Sequence, residues 1–294
     1  MSYVISCCST VDLSVERLEE RDIKWVPFHF HIDGKDYLDD YGKSMSLAEF
    51  YQRERDGATP TTSQVNAKEY LSLWKPILES GSDILHISLS SGISGTYNSA
   101  NIAAEDAREF YPDRKIEVID SLCASAGYGL FVEELADKRD SGMEFDALVK
   151  YGESLKGKVN HFFFTSDLTS LIRGGRVSPA AGTLANILNI CPILKVNSEG
   201  KLVPVTKVRT KKKVYQELMK IMAEHADNGN DYSGRCYLSY SDCPDDAKAV
   251  VEKIEENFAA LKGKVEVFRI GTTIGSHTGV ATVALFFMGK ERTE

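Results

Sequence analysis

D-I-L-H-I-S-L-S-S-G-I-S-G-T-Y-N-S-A, residues 83–100, decides how this chain is read. Ile84, Leu85, His86 and Ile87 make a short apolar run, which gives way to small hydroxyl residues around Gly92 and Gly95. After Tyr97 the sequence is helix-compatible again. That order predicts a buried strand, a tight loop and the first turn of a helix. Ser88, Ser90, Ser91, Ser94, Thr96 and Ser99 fill the loop with hydroxyls. A helix start offers unpaired N–H groups and a partial positive charge, so the loop suits an anion.

Working outward, strand and helix signals alternate on both sides. Residues 3–8 read as a strand running into Ser9-Thr10, and residues 12–20 as a short helix. Residues 23–32 form one β-rich alternating run, closed by the hairpin signal Asp33-Gly34. Ser46-Leu47-Ala48-Glu49 spells a capping box. Residues 57–64 form a second hydroxyl-rich loop, and Asn66 opens another helix. Residues 115–119 are a strand ending at Asp120-Ser121, and residues 124–139 a helix. This alternation implies α/β architecture: a Rossmann-like, mostly parallel sheet with helices on both faces. Ligands gather at the carboxyl ends of such strands. Ser9-Thr10, Ser90 to Ser94 and Ser121 lie at those ends, and Thr61-Thr62-Ser63 is placed to join them. A helix N-cap explains any one cluster alone; four on one rim point to a site.

The texture changes after about residue 155. Val159 to Thr165 is a very apolar strand, and residues 168–173 a short helix before Gly174-Gly175. Pro179 suits the first turn of a further helix. Residues 191–196 and 201–205 flank a hairpin turn. Helices at residues 210–226 and 245–258 alternate with strands at 235–241 and 264–270. G-T-T-I-G-S-H-T-G, residues 271–279, reads as a turn before the last strand. The expectation is an α/β domain over residues 1–155 and a second, α+β domain over residues 156–294.

Composition narrows the function classes. The chain has 294 residues and a net charge of −8, which argues against a nucleic-acid binder. The basic run at residues 207–213 holds five cations, and a solvated helix start accounts for it. Six cysteines occur without a C-x-x-C pair, several inside apolar runs, as free thiols in a reducing compartment do. The N-terminus lacks signal-peptide features. The longest apolar span, residues 280–288, is too short to cross a bilayer. A cytoplasmic protein without membrane insertion is expected.

The anion remains to be chosen. There is no P-loop and no G-x-G-x-x-G, and no lysine stands at the loop to meet a polyphosphate. A carboxylate needs only hydroxyls and one or two backbone donors. Ser94, in G-I-S-G-T, falls short of the G-x-S-x-G nucleophile elbow. With Asp120 and His277 it still sketches a hydrolase triad on paper. His29 and His31 share a strand face without further metal ligands, so no metal site is expected. His277, between Gly275 and Gly279, has no packing reason to be there. Arg173 and Arg176 bracket the glycine pair as helix-end residues or as lining of an anion route.

These motifs together resemble the DegV family of bacterial proteins. The resemblance runs through residues 26–39, T-S-Q (Thr62 to Gln64), S-S-G-I-S-G-T-Y-N-S-A (Ser90 to Ala100), V-I-D-S (Val118 to Ser121) and L-I-R-G-G-R-V-S (Leu171 to Ser178). Residues 185–196, Arg209 and I-G-S-H-T-G (Ile274 to Gly279) complete it in order. The resemblance implies a long-chain fatty acid in a tunnel between two domains, its carboxylate held by Thr62 and Ser94. Ser63, Gly95, Ser121, Arg209 and His277 are the supporting rim it suggests. It further implies an acyl-carrying subunit with no catalytic residue, no metal and no cofactor besides the bound acid. Its partner would be an ATP-dependent fatty acid kinase subunit that makes an acyl phosphate. Val65 replaces the family's usual proline after T-S-Q, Cys8 the usual aspartate before Ser9-Thr10, and Val280-Ala281 the usual proline and glycine after His277-Thr278-Gly279. A stand-alone acyl hydrolase using Ser94 and His277, or a passive lipid buffer, are the rival readings.

Overall fold

Residues 83–88 do form a strand, and all six side chains are buried because it sits inside a sheet. Tyr3–Cys8 (β1), Ile23–Val26 (β2), Asp83–Ser88 (β6) and Ile116–Asp120 (β7) make a four-stranded sheet in the order β2-β1-β6-β7, every pair parallel. Helices Ala67–Glu79 (α3) and Thr96–Phe110 (α4) pack on it. The computed structural model describes residues 2–178 and 190–294; the helix start expected at Pro179 lies outside them.

Several readings of this half are corrected. The β-rich run at residues 23–32 is two strands in two sheets. Pro27, which has no N–H to donate, stands between β2 and His29–Ile32 (β3). β3 is the centre of a small antiparallel sheet, between Lys35–Leu38 (β4) and Thr61–Ser63 (β5). So Thr61-Thr62-Ser63 is a strand, not a loop: its β-branched residues found an unpaired edge to add to. The helix expected over residues 12–20 begins later, at Val15–Glu20 (α1), after a 3-10 turn at Ser9–Val11. Leu47–Arg55 (α2) has half of its capping box: Ser46 accepts the Glu49 N–H, while Glu49 pairs with Arg53 instead.

The second half is built on a six-stranded sheet. Val159–Thr165 (β8), Ile190–Val196 (β9), Leu202–Arg209 (β10), Cys236–Ser241 (β11), Val265–Arg269 (β12) and Thr282–Met288 (β13) are ordered β10-β9-β8-β13-β11-β12. Every pair is antiparallel except β11 with β12. Strand alternation sends Phe162, Phe164, Leu285 and Phe287 to one face, under helices Lys211–His225 (α8) and Pro244–Asn257 (α9). Phe163, Ala284 and Phe286 go to the other, against Ser125–Asp140 (α5).

α5 links the halves. It is buried almost all round, from Ser125 to Glu133 and again at Leu135 and Ala136. A helix with no polar face belongs between layers, not on a surface. Leu130, Phe131 and Val132 join one continuous core that runs from Ile5 through to Phe286. At about 1.5–3 kcal/mol for each large apolar side chain fully buried, this helix contributes much of the cohesion between the sheets. Phe145–Leu155 (α6) follows, with Phe145, Leu148, Gly152 and Leu155 on one buried face at helical spacing. Thr169–Arg173 (α7) and Thr272–Thr278 (α10) complete the described elements. The residue 271–279 stretch is therefore a helix rather than a turn. Gly275 within it weakens its propensity by about 1 kcal/mol. Packing overrides this: Gly275 lies so close to Tyr51 that a Cβ there would come within 2.7 Å of its hydroxyl oxygen.

Candidate functional site

A cavity of about 720 Å³, its open mouth included, lies between the parallel sheet and the six-stranded sheet. The first half contributes Phe28, Thr62, Leu89, Ile93, Ser94 and Ala124 to its wall. The second half contributes Phe163, Leu171, Arg176, Ile274, His277 and Ala284, among others. Most of the wall is apolar. The polar groups gather where α10 meets β5 and the loop after β6.

Thr62 and His277 are directly joined. Thr62 Oγ1 and His277 Nε2 are 2.8 Å apart. The contact exists because α10 packs on both β3 and β5. His277 Nδ1 is buried and has no hydrogen-bond partner among the described residues. Gly174 explains how the ring fits: a Cβ there would lie 2.2 Å from Nδ1. Burial, with Arg176 and Arg173 nearby, holds the imidazole down at about 4, so it is neutral at neutral pH. Ser94 follows the turn at residues 91–93; its Oγ accepts the Thr96 N–H at 3.2 Å, which leaves its O–H free to donate. Gly95 permits the close approach of the T-S-Q segment, since a Cβ would lie 2.5 Å from Gln64 Oε1.

Arg176 was seen in the sequence only as one of two readings, and it lines the cavity. Its Nε donates to the Ile93 carbonyl at 3.0 Å and Nη1 to the Gly174 carbonyl. It makes no ion pair among the described residues. A half-buried guanidinium without a carboxylate, beside two hydroxyls and a neutral imidazole, is a setting for an anion.

The remaining rim residues part ways. Ser63 alternates with Thr62 on β5, so it faces away and is exposed. Ser121 is buried and spent: its Oγ donates to the Ser88 carbonyl at 2.7 Å and accepts the Cys123 N–H. Ser9 and Ser90 are likewise occupied, with Asp39 and the Gly200 carbonyl. Arg209 is exposed at the end of β10 and is not among the cavity-lining residues. The hydrolase trio is not assembled. Asp120 accepts the Ser91 and Leu122 N–H groups, both at 3.1 Å, and His277 is engaged with Thr62 rather than Ser94. His29 pairs with Glu69 and His31 with Asp36, each at 2.8 Å. No cluster of three metal-ligating side chains occurs among the described residues, and none of their helices is long and apolar enough to cross a membrane.

Sequence reasoning missed His161 in the cavity wall. It is fully buried, and desolvation pushes it well below its ordinary value. Nδ1 lies 2.9 Å from the Val159 carbonyl, and Nε2 accepts the Ala124 N–H at 3.3 Å. Both nitrogens are thus used, and the ring meets the cavity as an apolar surface. The only signal was its place in an apolar strand. Asp12 was missed too. Its carboxyl accepts from the Ser125 hydroxyl and, at 2.9 Å, from the Gly271 N–H. It thereby ties the cavity wall to the start of α10.

The family model described as "Uncharacterised protein, DegV family" matches residues 5–290. A DegV domain-containing protein of Clostridium perfringens (strain 13 / Type A) is 34% identical over 287 residues, which cover 98% of this chain and 97% of that protein. Among solved structures, a fatty acid binding DegV family protein from Streptococcus agalactiae is 28% identical with a TM-score of 0.85, covering 99% of this chain and all of its own. A DegV family protein from Thermus thermophilus, whose structure concerns fatty acid binding, is 27% identical with a TM-score of 0.86, at 99% and 100% coverage.

Proposed function

The chain belongs to the DegV family, and from that premise we propose that it holds one long-chain fatty acid in the cavity between its sheets. The carboxylate sits between Thr62 and Ser94, and the chain presents it to a separate ATP-dependent kinase subunit for conversion to an acyl phosphate. Residues 1–155 and 156–294 act as two units that wall the ligand between them, in the cytoplasm. One observation carries this reading: a largely apolar cavity ends in two hydroxyls, a neutral imidazole and a guanidinium that makes no ion pair among the described residues.

The division of labour follows from magnitudes. At roughly 0.8 kcal/mol per buried CH₂, about 14 methylenes contribute on the order of 11 kcal/mol gross. A hydrogen bond to a charged acceptor adds about 1.5–3 kcal/mol. The tail supplies affinity; the head group supplies orientation and rejects esters. If His277 Nε2–H donates to Thr62 Oγ1, the Thr62 proton is released toward the carboxylate. Arg176 balances its charge. Exposed Arg209, within the basic run before α8, belongs to the face that meets the kinase.

Mass spectrometry of lipid extracted from natively purified protein tests the ligand class. A stoichiometric fatty acid is expected, and its absence overturns the reading. With a kinase subunit and ATP, the loaded protein yields a hydroxylamine-trappable acyl phosphate. A loaded protein that is never phosphorylated is a lipid buffer; turnover of acyl esters by the chain alone makes it a hydrolase.

A further inference from the structure

We propose that Gly127, by the room it leaves for His161 and Phe286, sets where the cavity ends and so which acyl chain length it selects; this rests on the fatty-acid reading above.

The register of the six-stranded sheet orders the cavity wall. β13 starts at Thr282, beside the carboxylate end, where the Thr282 hydroxyl donates to the Thr278 carbonyl. Thr282 pairs with Thr165, Ala284 with Phe163 and Phe286 with His161. Thr282, Ala284, Phe286, Phe163 and His161 all line the cavity. Each two-residue step moves along the wall by about 6.8 Å, so the Phe286–His161 rung stands about 14 Å beyond Thr282. The next residue of that phase on β13, Met288, does not line the cavity. Val196 and Leu202, which pair with each other, extend the same rung: Lys195 pairs with Phe162, so Val196 comes beside His161. The rung is the far end.

Its position depends on a residue that does not itself line the cavity. The His161 and Phe286 rings meet edge to face, with centroids 5.3 Å apart. Both pack onto α5 at Gly127. A Cβ there would lie 2.3 Å from His161 Nε2 and 2.5 Å from Phe286 Cδ1, distances that neither ring can tolerate. Each ring has α5 on one side and the cavity on the other. A methyl group at Gly127 therefore drives the wall into the cavity and shortens it. Trimming Phe286 does the reverse. The His161 hydrogen bonds to Val159 and Ala124 hold the ring upright in the native wall.

The experiment compares wild type, Gly127→Ala and Phe286→Leu, purified from the same cells. Bound lipid is identified by mass spectrometry, and affinities are measured for saturated acids from lauric to arachidic. Gly127→Ala is expected to move the preferred length down by about two carbons, with about a tenfold loss for the longest acid bound by wild type. Phe286→Leu should move it up. If Gly127→Ala fails to fold, the Phe286→Leu profile decides. Unchanged length profiles in variants that still carry acid overturn this inference and leave the fatty-acid reading standing. A wild-type protein without acid overturns both.

Discussion

The two ends of the cavity are built by opposite means. The carboxylate end is assembled from three separate pieces: β5, the loop after β6, and α10. Each brings one polar group, and they meet only because the small sheet packs on α10. The far end comes from neighbouring strands of one sheet, whose alternation delivers Phe163, Ala284 and Phe286 to a single face. The first end depends on glycines that let segments touch. The second depends on the volume of the rings in the wall, set against the space that Gly127 leaves behind them. On the proposed reading, convergent donors meet a head group and a shaped wall meets a tail, and the two tasks fall to different parts of the fold.

The sharpest way to break that comparison is to fill the apolar end. Ala284→Trp places an indole in the wall midway along the cavity. Excluding even half of the tail removes about 5 kcal/mol or more of burial, over a thousandfold in affinity. Co-purifying acid should fall below detection while circular dichroism stays native. Retained acid would show that the tail runs elsewhere. Ser94→Ala tests the other end. It should lose about 1.5–3 kcal/mol for the free acid and nothing for the methyl ester, measured by calorimetry. Equal losses for both would end the division of labour.

Asp12 ties the cavity wall at Ser125 to the start of α10, and it makes a pH prediction. Burial pushes its carboxyl up to about 8 in the folded protein, against about 3.9 unfolded. The native state therefore keeps a proton that the unfolded state releases, so this residue's contribution to stability falls as pH rises from about 4 to about 8. Asp12→Asn cannot titrate. Its urea midpoint should gain on wild type steadily across that window, and a constant difference would refute the assignment. The smallest effect is expected at Ser63, which faces away from Thr62. Ser63→Ala should change acid affinity by less than about 0.5 kcal/mol in the same calorimetric assay.

Local signals made much of this legible. The apolar run before Ser88, the glycine-hydroxyl break and the helix after Gly95 specified a strand, loop and helix without tertiary help. Ser94 and His277 stood out among glycines, Thr62 was singled out by the T-S-Q resemblance, and all three line one cavity. Ser63 and Ser121 could not be told from them in sequence. Strand phase turned one outward, and a backbone carbonyl took up the other. Arg209 was drawn in by motif order alone. Asp12 and His161 were invisible because an acid near a helix start and a histidine in an apolar strand read as ordinary parts of their elements.

What the sequence determined by itself was the alternation of elements and the kinds of groups available to an anion, because propensity, turn chemistry and periodicity act over a few residues. Which hydroxyls face the ligand, that residues 271–279 are helical, and that Gly174 and Gly127 are spaces for His161, His277 and Phe286 were decided by the tertiary structure. Those outcomes depend on close contacts between segments a hundred residues apart or across two sheets, and no local rule carries that information. The loop at residues 83–100 announced that an anion would be held. The packing of α5 and α10 decided the shape of the cavity beside it.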